Sequence, residues 1–110
     1  MYVASYPADG NTREKHVIYR IGDLSKPQPQ KLTTVSGQYD GIAFSSDGNS
    51  LYVTNWTPAG LSRVDLHTGN LSPFEISLEK DLSGPADITV SEGKIYIPDL
   101  PASRVVIVAE

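Results

Sequence analysis

Five oxygen-bearing side chains sit at the edges of short apolar runs in this 110-residue chain: Ser5, Asp40, Asn55, Asp87 and Asp99. Carboxylate, amide and hydroxyl oxygens that converge suit a hard divalent cation such as calcium. The same residue types also cap strand ends and turns. Trp56 follows Asn55 and offers either an indole face for a sugar-like ring or a large surface for packing. Most other chemistries lack their residues. There is no cysteine, hence no disulfide and no thiolate metal site. His16 and His67 stand alone in loop or turn settings and read as solvated. No phosphate-cradling glycine loop, Gly-x-Ser-x-Gly elbow or paired histidines at metal spacing occurs.

The elements that must position these residues are strands. From Gln38 to Phe74 the chain alternates short apolar runs with polar turns: Gly41 to Phe44, Leu51 to Trp56, Leu61 to Leu66 and Leu71 to Ile76. Asp47-Gly48 lies between the first two and supplies the positive backbone angles of a tight hairpin. His67 to Asn70 marks a second tight turn. This is the pattern of a four-stranded antiparallel meander. The flanking segments read as incomplete copies. Upstream, Met1 to Tyr6, Val17 to Ile21 and Lys31 to Val35 are strands, and Ala8 to Lys15 is a polar loop with an Asp9-Gly10 turn. Downstream, Asp87 to Val90, Ile95 to Leu100 and Ser103 to Val108 are strands, and Ser77 to Gly84 links them to the meander.

The copies recur in step. Met1-Tyr2-Val3, Leu51-Tyr52-Val53 and Ile95-Tyr96-Ile97 lie roughly 50 and roughly 44 residues apart, the spacing of propeller blades. Tyr19-Arg20-Ile21, Ser62-Arg63-Val64 and Ser103-Arg104-Val105 recur with them, so the three tyrosines read as structural and the three arginines as blade-to-blade contacts. The expected fold is all-β: β-propeller blades of four-stranded antiparallel meanders, incomplete and open. Residues 1–37 form a partial blade lacking the innermost strand, 38–84 a complete blade, and 85–110 a partial blade lacking the outermost strand. On that pattern Glu110 is expected at or near the C-terminus of a larger ring, and Met1 inside it. The exposed blade faces and edges of such a piece lead to self-association. The start of the innermost strand and the end of the next open on one channel mouth, where the five polar residues fall.

Charge and length exclude some partners. Thirteen acidic against nine basic residues give a net charge of -4, the wrong sign for a sequence-independent nucleic-acid binder. No apolar run approaches the roughly 18 residues needed to span a membrane as a helix. The compartment stays open.

Tyr39-Asp40-Gly41-Ile42-Ala43-Phe44, then Asp47-Gly48, Leu51-Tyr52-Val53 and Arg63-Val64-Asp65, resembles the blade signature of the senescence-marker-protein/gluconolactonase family of six-bladed propellers. Ser83-Gly84-Pro85-Ala86-Asp87-Ile88, with Tyr96-Ile97-Pro98, is similar to a C-terminal blade of that group. The resemblance implies a metal-dependent hydrolase of sugar lactones or related esters, with one divalent metal, calcium or zinc, at the channel mouth. It implies that Asp40 is a metal ligand and catalytic residue, while the other three ligands lie in earlier blades. Asn55 and Trp56 then shape the mouth for a lactone or sugar-like substrate, and this chain by itself is expected to be inactive. The competing reading is a non-catalytic propeller module that binds protein or glycan through the same face, because fold alone does not give function.

Overall fold

The computed structural model describes residues 1–5, 15–36 and 38–110. Residues 6–14, which hold the end of the strand read over Met1 to Tyr6 and all but the last residue of the polar loop read over Ala8 to Lys15, lie outside the described residues, as does the side chain of His16. Ten strands form three antiparallel sheets, with no α-helix among the described residues. The first sheet runs β1 (Tyr2–Ala4), β2 (Lys15–Arg20), β3 (Gln30–Ser36). The second is the meander β4 (Tyr39–Phe44), β5 (Ser50–Asn55), β6 (Gly60–Asp65), β7 (Leu71–Pro73). The third is β8 (Thr89–Ser91), β9 (Lys94–Asp99), β10 (Arg104–Ala109). The chain is therefore all-β and sheet-based, no sheet closes into a barrel, and the arrangement is compatible with an incomplete propeller-like piece.

The hairpins form where the turn chemistry directs them. Gly48 adopts φ +72°, and Asp47 Oδ1 accepts the Asn49 N–H at 2.9 Å and the Ser45 hydroxyl at 2.6 Å. In the next hairpin Gly69 adopts φ +73°, and Asp65 Oδ1 accepts the N–H groups of His67 and Thr68. Between β8 and β9, Glu92 and Gly93 both take positive φ, as a two-residue hairpin turn requires. The outer strand of the meander ends at Pro73, shorter than its apolar pattern suggests. Residues 77–84, which follow, form no helix.

The sheets stack face to face through the two sides of each strand. In β5, Leu51 and Val53 point one way and join a core with Ile18, Tyr39 and Val64, against which Tyr2, Ala4 and Leu32 pack. Tyr52 points the other way and joins Leu61, Ile88, Ile95, Ile97 and Val106. The period of two thus gives the middle sheet one core on each face. Tyr2 meets Phe44 edge-on at 5.6 Å between ring centroids, and Tyr52 meets Phe74 at 5.3 Å.

The recurring arginines are not equivalent. Arg20 pairs opposite Tyr2 and Arg63 opposite Tyr52, but the residue opposite Tyr96 is Ile107. Arg104 instead lies opposite Asp99. Arg63 Nε donates to Ser50 Oγ within its own sheet at 2.9 Å, and the side chain lines a depression shared with Glu110, the residue after β10 of the third sheet. Arg104 Nε donates to Asp99 Oδ2 at 2.9 Å, and its Nη2 donates to the carbonyls of Lys80 and Asp81. It ties the third sheet to the connection that leads into it.

Asp99 is fully buried. Burial alone raises a carboxyl pKa. Here the Gly84 N–H, the Arg104 guanidinium and the Ser83 N–H outweigh it and hold Asp99 below the usual carboxylate range. Asp99→Ala, which leaves these donors without their acceptor, is expected to cost about 3 kcal/mol, read from urea denaturation midpoints. A depressed folded-state pKa contributes stability that is present above the unfolded value near 4 and is lost as pH falls through the folded value. The variant lacks that part of the acid slope.

Candidate functional site

One depression gathers residues from all three sheets. Ala4 comes from β1, Tyr39 and Asp40 from β4, and Trp56 from the residue after β5. Ala86 precedes β8, and Leu100 follows β9. Its volume is about 550 Å³. The structure therefore brings Asp40 and Trp56 together on one surface. Asn55 is not among the lining residues.

Backbone geometry explains where Asp40 stands. Tyr39 pairs with Asn55 and Ile42 with Val53, with a register shift between, so Asp40 and Gly41 occupy a bulge. Bulges bend a strand and re-aim its side chains. The Asp40 side chain is exposed and, among the described residues, accepts no hydrogen bond. Gly41 is needed beside it because residues 87 and 88 approach so closely. A Cβ at Gly41 would stand 2.7 Å from the Asp87 carbonyl carbon and 2.7 Å from the Ile88 nitrogen. Gly41 N–H donates to the Ala86 carbonyl at 3.0 Å and to Thr54 Oγ1 at 2.8 Å. The fully buried Thr54 hydroxyl in turn donates to the Ala86 carbonyl.

Trp56 is 43% exposed, so it presents part of its ring system to the depression. Its Nε1 and Cδ1 edge lies over Gly84, where a Cβ would collide with it and with Pro101. Packing and exposure are thus divided between the two sides of one indole. Leu100 is 65% exposed and occupies, three-dimensionally and in the repeat, the place in the third sheet that Trp56 holds in the second. Its part in the depression was readable from that equivalence. Tyr39 was readable only as the neighbour of Asp40.

The other polar residues have structural partners. Ser5 Oγ accepts the Val17 N–H at 2.8 Å. Asn55 Oδ1 accepts the Gln38 N–H at 2.6 Å. Asp87 Oδ1 accepts the Ile88 N–H at 2.8 Å. Asp99 holds Ser83, Gly84 and Arg104. Ser5, Asn55 and Asp99 each stand at the same distance after the recurring tyrosine, so recurrence was the signal for their latching role. His67 is exposed in its turn.

A calcium ion takes roughly six to eight oxygen donors, and a protein zinc site about four ligands. Among the described residues no three His, Asp or Glu side chains converge. Asp40 offers one carboxylate, and the Asn55 amide oxygen already accepts a backbone N–H. These residues do not by themselves fit a calcium or zinc site. Also among the described residues, no helix is long and apolar enough to cross a membrane. In comparisons with known proteins, no family model matches the chain and no curated protein matches it.

Two measurements probe this construction. Gly41→Ala is expected to destabilise by about 2 kcal/mol, read from denaturant midpoints, because the added methyl meets backbone rather than a flexible side chain. Tyr39 is buried, and burial pushes its phenol up to about 12. An unfolded tyrosine loses its proton near pH 10. Stability is therefore complete below pH 10 and falls as pH rises toward 12. In Tyr39→Phe this component of the alkaline loss disappears.

Proposed function

We propose that the chain is a segment of a six-bladed, gluconolactonase-like propeller, and that the depression around Asp40 and Trp56 is its binding surface for a sugar lactone or related sugar-like ester. The observation that carries this reading is the pairing of an exposed carboxylate with a part-exposed indole on one concave surface. A pyranose-like or lactone ring has apolar C–H faces and polar hydroxyl edges. An indole offers the first a stacking surface, and a carboxylate accepts hydrogen bonds from the second.

The chemistry of hydrolysis comes from the family resemblance. In the intact ring that resemblance calls for a divalent metal, and Asp40 is the residue of this chain suited to ligate it. The remaining donors must come from elsewhere in the ring. Within this chain Asp40 and Trp56 bind and orient, and Ala4, Ala86 and Leu100 form an apolar wall. The exposed Leu100 beside Trp56 also favours a second reading, a non-catalytic module that holds a glycan or protein on the same face.

Trp56 is the single tryptophan, so its emission reports on this surface directly. Titration with an aldonolactone is expected to give a saturable change in emission. Asp40→Ala is expected to weaken binding roughly tenfold, the loss of one hydrogen bond to a charged group. An unresponsive emission, or an equal response in Asp40→Ala, overturns the binding proposal. Saturable binding of an unhydrolysable oligosaccharide but not of the lactone favours the glycan-binding module.

A further inference from the structure

We infer that the ligand of the depression around Asp40 is a cation: an amino sugar whose ammonium group meets the Asp40 carboxylate while its ring lies on Trp56. The inference rests on the reading of this depression as a sugar-binding surface, and it adds the charge of the ligand to that reading.

The charge of Asp40 is unmet within the chain. Carboxylates elsewhere are committed to local donors. Asp47 and Asp65 accept N–H groups of their own turns. Asp87 accepts the Ile88 N–H, Glu110 accepts from Ser46, and Asp99 accepts from Ser83, Gly84 and Arg104. Asp40 accepts nothing among the described residues. The bulge explains why. An aspartate beside a turn or strand end ordinarily takes up a nearby backbone N–H. Here the next N–H, that of Gly41, already donates to the Ala86 carbonyl and to Thr54 Oγ1. The Trp56 N–H donates to the Gln38 carbonyl. These donors are spent on the backbone junction, and the carboxylate is left to the depression.

The walls leave that charge alone. Ala4, Tyr39, Trp56, Ala86 and Leu100 surround Asp40, and none of them is basic. The Tyr39 phenol is neutral at physiological pH, because burial pushes it up to about 12. Among the described residues the one side-chain ion pair is Arg104 with Asp99, so no lysine or arginine reaches Asp40. A single charge in a concave surface with apolar walls keeps more of its field than one on open ground. A neutral sugar leaves that field unanswered, and an anionic one opposes it.

Trp56 supplies the second half of the match. The face of an indole attracts a cation as well as stacking on an apolar ring face. An ammonium at the edge of a sugar ring stacked on Trp56 lies beside the carboxylate of the same surface. A hydrogen bond between two charged groups is roughly twice as strong as one between neutral groups. Asp40 and Trp56 both belong to the middle sheet, which carries a core on each face. Their placement is therefore set inside the chain.

The test follows Trp56 emission, with a chelator present so that Asp40 carries no metal, at a mildly acidic pH where the amine of glucosamine keeps its proton. The titrants are glucosamine, glucose, N-acetylglucosamine and gluconolactone. Glucosamine is expected to bind roughly tenfold more tightly than glucose or N-acetylglucosamine, which keep the ring and lack the charge. Asp40→Asn keeps the shape of an exposed side chain and removes its charge. In that variant glucosamine is expected to fall to the level of glucose, with the thermal midpoint of the protein confirming that it is folded. Glucosamine binding no tighter than glucose overturns the inference, as does a preference that survives in Asp40→Asn. Saturable binding of gluconolactone without any preference for glucosamine overturns this inference alone and leaves the sugar-lactone surface standing. An emission unresponsive to every titrant overturns both.

Discussion

The approach of residues 86–88 to Gly41 is the constraint on which the rest of the molecule depends. There the first strand of the middle sheet meets the chain entering the third sheet, backbone against backbone. The Ala86 carbonyl accepts from both the Gly41 N–H and the Thr54 hydroxyl. Thr54 is fully buried, so its hydroxyl must have partners inside the protein. This junction fixes the spacing of two sheets and sets Asp40 on the bulge beside it. It also brings Ala86 into the wall of the depression. At the far end of the same interface, Ser46 N–H donates to Glu110 Oε1 at 2.9 Å and the Ser46 hydroxyl donates to Oε2. Between these two polar ties lies the apolar core around Tyr52 and Ile97.

A second device repeats with the sheets. The residue three positions after each recurring tyrosine carries an oxygen and accepts a backbone N–H. Asn55 and Asp99 both hold the chain as it enters the first strand of their own sheet, through Gln38 and through Ser83 and Gly84. Ser5 in the first sheet holds Val17. Asp99 goes furthest because it also accepts from Arg104, and a fully buried carboxylate needs that many donors. Loss of such a latch frees the loop that carries Gly84, on which Trp56 rests.

The strands and turns were legible in the sequence because they rest on local rules: period-two alternation, Asp-Gly and Glu-Gly turns, and a repeated tyrosine triplet. The polar residues were legible by type but not by use. An Asp that ligates and an Asp that latches are the same letter, and only recurrence separates them. Asp40 has no counterpart in that recurring latch position and emerged as exposed, while Asn55 and Asp99 did not. Register was the least legible feature. The matching Ser-Arg-Val strings suggested that Arg63 and Arg104 are equivalent, but strand pairing sets Ile107 opposite Tyr96. A register offset by an odd number of residues moves a side chain to the other face of the sheet. Arg104 is thereby turned to the buried Asp99, and the position that an arginine holds elsewhere falls to an exposed isoleucine.

The same offset connects the stability of the third sheet to its open surface. Arg104 faces Asp99 and clamps the incoming connection from the backward side. With the guanidinium committed there, the forward side of β10 is left to Val105 and Ile107. A strand whose two faces are both apolar is suited to a sheet covered on both sides. The middle sheet is covered in that way and shows the pattern that results, with Leu51 and Val53 buried on one side and Tyr52 on the other. Along β9 the third sheet repeats it, with Ile95 and Ile97 buried and Tyr96 turned outward. The third sheet thus carries apolar side chains on both faces, and the depression at Asp40 draws its walls from the junction of three sheets rather than from one.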